Sequence, residues 1–199
     1  VCVKDGVPTI NHLPFICLNG INNGDKMISH VARANKIWKQ FDQPTPATLV
    51  FSGPSGYISP SWYVEKATTH KVVPTYNYAT VHINGKLEFV DDMEDKLQIV
   101  EDITNHFESK RPMPWAVSDA PENFIQSMLK GIVGCTFEIE SINAKWKCNQ
   151  NHIPENRETV ANELIHEGKN NTNGSNMIST LLGHEILYTN EVLNKEDQV

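Results

Sequence analysis

The chain has 199 residues, 39% of them hydrophobic, with 24 acidic against 17 basic side chains and a formal charge of −7. That length suits one domain, or one domain with an appendage, and the apolar share can bury a core. The acidic balance, with no run of Lys or Arg, makes direct DNA binding doubtful because it needs a local basic patch; no apolar stretch nears the ~18 residues that span a membrane. The four cysteines, Cys2, Cys17, Cys135 and Cys148, form no C-x-x-C pair. They read as reduced, mostly buried thiols of a cytoplasmic protein. The chain starts at Val1 without an initiator Met or a secretory signal, and residues before it are expected.

In chain order, Val1 to Lys4, the turn Asp5-Gly6 and Pro8 to Leu18 predict a hairpin. Lys26 to His30 reads as a short strand, Ala32 to Phe41 as one or two helical turns, and Ala47 to Ser52 as a buried strand that Gly53-Pro54-Ser55-Gly56 breaks. Val72 to Ile83 is a long strand. Asn84-Gly85 is the strongest short hairpin signal, so Lys86 to Val90 is expected to fold back. That pairing would put Tyr78, Thr80 and His82 on one face with Leu87 and Phe89. It would put Ala79, Val81 and Ile83 on the other with Lys86 and Glu88. Glu94 to Lys110 has helical periodicity through Leu97, Val100, Ile103 and Phe107. Asp91-Asp92 caps that helix. Asp119 and Glu122 suggest a capping box for a second helix, with Phe124, Ile125, Met128 and Leu129 as its buried stripe. Thr136 to Ile142 alternates, with Phe137 and Ile139 inward and Glu138 and Glu140 outward. Glu155 to Gly168 is the last helix before an Asn-, Ser-, Thr- and Gly-rich linker, Lys169 to Met177. The segment after it is short and acidic, either a docked helix or part of a flexible polar tail over 169–199. Strands followed by helices give an α+β class with an antiparallel, closed sheet.

Three stretches could carry chemistry. In HVARANKIW (30–38), Arg33 offers five fixed donors suited to phosphate and Asn35 an amide suited to a heterocycle edge. A surface turn with Arg33 in a salt bridge fits the same residues. In VVPTYNYATVH (72–82), Tyr76, Tyr78 and His82 share one side and Asn77 the other. Aromatics there could stack on a flat ring that Asn77 hydrogen bonds, or pack in a barrel strand or dimer interface. In AKWKCNQN (144–151), Lys145, Lys147, Gln150 and Asn151 suit an anion or a solvated turn. No G-x-S-x-G, P-loop or G-x-G-x-x-G motif occurs, and no His pair has H-x-x-x-H spacing.

INHLPF (10–15), SHVARANKIW (29–38), FSGPSGYISPSWY (51–63), VVPTYNYATVHINGKL (72–87), PWAVSDAPENFIQSMLKGIVG (114–134) and KWKCNQN (145–151) together resemble the PaiB-type family of FMN-binding split-barrel proteins. Their order and spacing agree over roughly residues 7 to 165. The resemblance implies a split β-barrel over residues 1–168 that forms a homodimer and holds FMN between subunits. The family's N-terminal helix and the start of its first strand are expected before Val1. The family's label, transcriptional regulator, implies a negative regulator acting through a protein partner. An alternative is a flavin-dependent oxidoreductase of the pyridoxamine-phosphate-oxidase-like group, and a third is a structural dimer without ligand. By motif match, His30, Arg33 and Asn35 become candidates for the phosphate and ribityl region. Tyr63, Tyr76, Asn77, Lys147, Gln150 and Asn151 become candidates for the rest of the flavin. Tyr76 stands where the family more often has Trp, and Cys148-Asn149 where it has Leu-Ser.

Overall fold

A computed structural model describes residues 1–41, 43–170 and 179–188. Seven strands are β1 (Cys2–Lys4), β2 (Val7–Thr9), β3 (Ile16–Cys17), β4 (Lys26–Ala32), β5 (Thr45–Ile58), β6 (Thr75–Val90) and β7 (Ile132–Lys147). Helices are α1 (Lys66–Thr69), α2 (Met93–Glu108), α3 (Glu122–Lys130), α4 (Pro154–Asn170) and α5 (179–188). The class is α+β. The strands form one seven-stranded sheet in the order β2-β1-β5-β6-β7-β4-β3. β1 pairs antiparallel with β2 and β5, and β4 with β3 and β7. Among the described residues no helix is long and apolar enough to cross a membrane.

The chain divides into two compact units: Val1–Val50 with His82–Asn143, and Phe51–Val81 with Ala144 onward. In the first, the expected hairpin forms around Asp5 and Gly6, both in the left-handed region at φ 52° and 76°. The second arm stops at Thr9, because the chain returns to strand only at Ile16. β7 alternates as its sequence predicts, with Phe137 and Ile139 buried and Glu138 and Glu140 exposed. Phe137 packs edge-on against Phe15 at 6.2 Å.

Asn84-Gly85 does not turn. β6 runs straight through it for 16 residues. A Cβ on Gly85 would lie 2.0 Å from the Glu138 carbonyl oxygen and 2.8 Å from the Phe137 ring. The glycine is there for close approach, not for a hairpin. With no fold-back the faces change as well. Leu87 lies with Asn77, Ala79 and Ile83 on the buried face, and Lys86 and Glu88 join the outward row with Tyr76 and His82.

α2 is capped by Asp92, whose Oδ1 accepts from the Glu94 amide at 2.8 Å and the Asp95 amide at 3.3 Å. Its buried stripe is Lys96 and Ile99, with Ile103 packed beside Ile16 and Ile28, and Phe107 is exposed. The buried stripe runs one position ahead of the expected Leu97 and Val100 and meets it at Ile103, because a paired lysine occupies a core position. Asp92→Ala is expected to cost about 1 kcal/mol, as typical N-cap losses do, read as a lower urea midpoint. Asp119 caps the short 3-10 turn Val117–Asp119 instead of α3, by accepting from the Ala116 amide at 2.9 Å. On α3 only Leu129 is buried, while Phe124 and Met128 are exposed.

In the second unit, Gly53-Pro54-Ser55-Gly56 stays inside β5. Ser59 and Pro60 then start the 3-10 turn Pro60–Trp62 and fix the corner. Ile58, Tyr63, Cys148, Val160, Ala161, Leu164, Leu182 and Ile186 form the core, with Trp62 against it. Burial pushes the Cys148 thiol up to about 11, so it stays an uncharged core group. α4 continues past the expected boundary at residue 168 to Asn170. Of the two outcomes for the last segment, residues 179–188 take the docked helix, with Leu182 and Ile186 buried. The rest of the expected flexible tail, 171–178 and 189–199, lies outside the described residues.

Candidate functional site

The expected site residues fall into one group in each unit. In the first, β4 carries His30 and leads to Arg33. Asn35 starts the 3-10 turn Lys36–Lys39, accepting from the Ile37 amide and donating to Asn11 Oδ1 at 2.7 Å. Arg33 is fully engaged. Its Nε donates to the Lys130 carbonyl at 2.7 Å, Nη2 to the Ile132 carbonyl at 3.1 Å, and both Nη atoms grip the Asp91 carboxylate. The guanidinium also lies 5.4 Å from the Trp38 ring. Lys96 Nζ reaches the same carboxylate at 2.9 Å. Hydrogen bonds from Arg33 and then Lys96 hold the Asp91 carboxyl well below the usual carboxylate range. Of the two sequence readings of Arg33, the geometry is the salt bridge. His30 is half-buried, its Nδ1 has no hydrogen-bond partner, and burial lowers its pKa, so the ring is neutral at pH 7.

The second group is denser. β6 opens with Thr75, Tyr76 and Asn77, and β7 ends at Lys147. A turn through left-handed Asn149 (φ 60°) then leads to α4. Strand alternation turns Tyr76 outward, exposed, and Asn77 inward, at 0% exposure. Asn77 Nδ2 donates to Asn149 Oδ1 at 3.0 Å, and Asn149 Nδ2 to the Tyr63 hydroxyl at 3.5 Å. Tyr63 stacks on His152 with centroids 4.8 Å apart, and burial raises its pKa, keeping the phenol neutral. Lys147 Nζ donates to Thr75 Oγ1 at 2.6 Å. Gln150 bridges the turn, accepting from the Cys148 amide and donating to the Trp146 carbonyl, each at 2.8 Å. It works as a turn clamp.

Tyr63, Asn77, Lys147 and Asn151 line one recess of about 240 Å³, and Tyr76 and Gln150 are not among its walls. Lys71, Thr75, Asn149, His152 and Glu65 complete its polar lining. Sequence reasoning did not select these five. Asn149 and His152 flank motif residues, but their only signal is adjacency, and Lys71 and Glu65 carry none. Glu65 is held by Asn156 Nδ2 at 2.5 Å. Asn77 Oδ1 is buried and accepts no hydrogen bond. A buried acceptor left bare costs about 1–3 kcal/mol, so a donor reaching it would be stabilising.

A family model described as "Putative FMN-binding domain" matches residues 1–141. The chain belongs to this FMN-binding family. FMN is the cofactor that membership assigns to it. Among related proteins, "Protease synthase and sporulation protein PAI 2" of Bacillus subtilis is 32% identical over 173 residues, covering 84% of this chain and 77% of that protein. An uncharacterized protein of Saccharomyces cerevisiae is 35% identical over 115 residues, covering 57% of this chain and 68% of its own length. A solved FAD and heme binding protein from Mycobacterium smegmatis aligns with a TM-score of 0.50 at 15% identity, over 73% of this chain and 62% of that one. That likeness is one of fold.

The residues present fit part of the cofactor. Two ammonium groups, a hydroxyl and an unsatisfied amide oxygen suit one polar end of a flavin. At about 240 Å³ the recess is smaller than the ~300–1,000 Å³ of whole-ligand pockets.

Proposed function

We propose that this chain is a homodimeric split-barrel FMN-binding protein of PaiB type, in which the recess of the second unit takes one end of the flavin. The observation that carries this reading is the buried, donorless Asn77 Oδ1, of a residue that lines one recess with Lys147 and Lys71, in a member of an FMN-binding family. FMN, when bound, supplies the redox chemistry. The protein's own residues orient and neutralise. Lys147, steadied by Thr75, presents a fixed positive charge, and Lys71 adds a second at the rim. The exposed aromatics of this unit, Phe51, Tyr57, Tyr76 and Trp146, are the kind of surface a second copy covers, which would also supply the walls the recess lacks. A regulatory role is inferred from the relationship to the B. subtilis protein. With a charge of −7 the chain would act through a protein partner in the cytoplasm more readily than on DNA.

Titration of FMN fluorescence with the purified protein tests this reading. Saturable quenching at micromolar or tighter affinity is expected. Lys147→Met should weaken it about tenfold, the effect of losing ~1.4 kcal/mol. No saturable quenching by the wild-type protein would overturn the flavin assignment. Quenching with steady NADPH oxidation would instead favour an oxidoreductase.

A further inference from the structure

We propose that the recess recognises the imide edge of the flavin ring, the C2=O, N3–H and C4=O groups, and excludes its phosphate. This rests on the FMN reading above. It adds which end of the cofactor enters and which residue sets the specificity.

The argument starts from polarity. Asn77 is wholly buried, and its amide is oriented by a one-way relay: its Nδ2 donates to Asn149 Oδ1, and Asn149 Nδ2 donates to the Tyr63 hydroxyl. That relay leaves Asn77 Oδ1 without a donor, in a residue that lines the recess. A phosphate at neutral pH brings acceptor oxygens, so it would meet this oxygen with like polarity. It would also meet the Glu65 carboxylate, which lines the same recess. A ring N–H satisfies Asn77 instead.

The neighbouring groups complete the pattern. Lys147 Nζ uses one donor on Thr75 Oγ1 and keeps two, and Thr75 keeps its own hydroxyl proton. Lys71 adds another ammonium. Donors around one acceptor complement an edge that reads acceptor, donor, acceptor. That is the imide edge of an isoalloxazine, and it also fits the size of the recess, which is too small for a whole FMN. Lysine charge at that edge favours the electron-rich ring, so Lys147 would bias the bound flavin toward reduction. A site built to satisfy an N–H rejects analogues that lack it, because its own acceptor is then stranded.

The test compares FMN, 3-methyl-FMN and riboflavin by fluorescence titration on the wild-type protein and on Lys147→Met. Wild type should bind 3-methyl-FMN at least tenfold more weakly than FMN. The penalty of Lys147→Met should be the same for FMN and riboflavin, since the ring edge is common to both. The midpoint potential of bound FMN should fall in Lys147→Met. Equal affinity for FMN and 3-methyl-FMN would overturn the assignment of Asn77. A Lys147→Met penalty seen with FMN and lost with riboflavin would place the phosphate in the recess, overturning the proposal while leaving flavin binding intact. Failure of wild type to bind FMN at all would overturn both.

Discussion

Gly85→Ala is expected to destabilise the protein by about 3 kcal/mol or more, at the upper end of overpacking costs. One methyl group would sit 2.0 Å from the Glu138 carbonyl oxygen and within 2.9 Å of two atoms of the Phe137 ring. None of these can easily yield. Glu138 is paired to Lys26 of β4, so its carbonyl is held by the sheet. Phe137 is wholly buried and locked edge-on against Phe15. The comparison is Gly6→Ala, at a left-handed turn where a Cβ meets nothing within 4 Å. There the loss is backbone strain alone, about 1–2 kcal/mol. Urea titrations of both variants read the difference as a midpoint change at constant slope. Equal losses at the two positions would show that β6 and β7 do not approach as closely as described.

Asp91→Ala is the second large effect. Lys96 has a side chain only 2% exposed, and the Asp91 carboxylate, 46% exposed, is the anion it contacts. Removing one partner of a fully buried pair costs about 3–5 kcal/mol, because the other charge stays behind. Water reaches the outer half of this carboxylate, so about 2–3 kcal/mol is expected. Lys96→Met in the same background should recover most of the loss, since the core position then holds an apolar chain of similar length. A double variant as unstable as Asp91→Ala would show that the lysine charge is not the cause. The same group sets a pH dependence. Its folded pKa lies below the unfolded value of ~3.9, so the folded protein holds its proton less tightly. The contribution is therefore whole above that value and is lost as the pH falls toward the folded pKa. Wild type should lose more stability between pH 5 and 2 than Asp91→Asn does, the window in which ordinary carboxylates titrate.

What the sequence disclosed depended on how local the cause was. The Asp5-Gly6 turn, the Asp92 cap and the alternation around Phe137 depend on near neighbours, and all three form, although the second arm of the hairpin stops at Thr9 and Asp91 ion-pairs instead of capping. Asn84-Gly85 looked local and was not. Its glycine answers to Phe137 and Glu138, more than fifty positions away. Gly53 likewise meets Ala79, with only 3.0 Å left for a Cβ, which is why a stretch rich in turn formers stays extended. Lys96 defeated the helical stripe because periodicity counts apolar residues, whereas this core position holds a charge whose burial is made possible by its ion pair with Asp91. In the recess the motifs brought Tyr63, Asn77, Lys147 and Asn151 together, but the polarity of Asn77 is set by Asn149, a position where the family pattern is broken. No spacing rule could supply that orientation. It follows from the order in which two amides and a phenol hand on their hydrogen bonds.

The border between the two compact units falls inside β5, β6 and β7, so neither unit is a continuous piece of chain. This sets a timetable for synthesis. At ~5–20 residues per second the ribosome delivers residues 51–81 several seconds before Ala144 onward, the stretch they pack with. Meanwhile the chain must first complete the unit ending at Asn143. A nascent chain stalled between those points holds half a core with nothing to close on. Chaperone demand should therefore peak there, late in translation, when Tyr63 and Asn77 have been made and Lys147 has not.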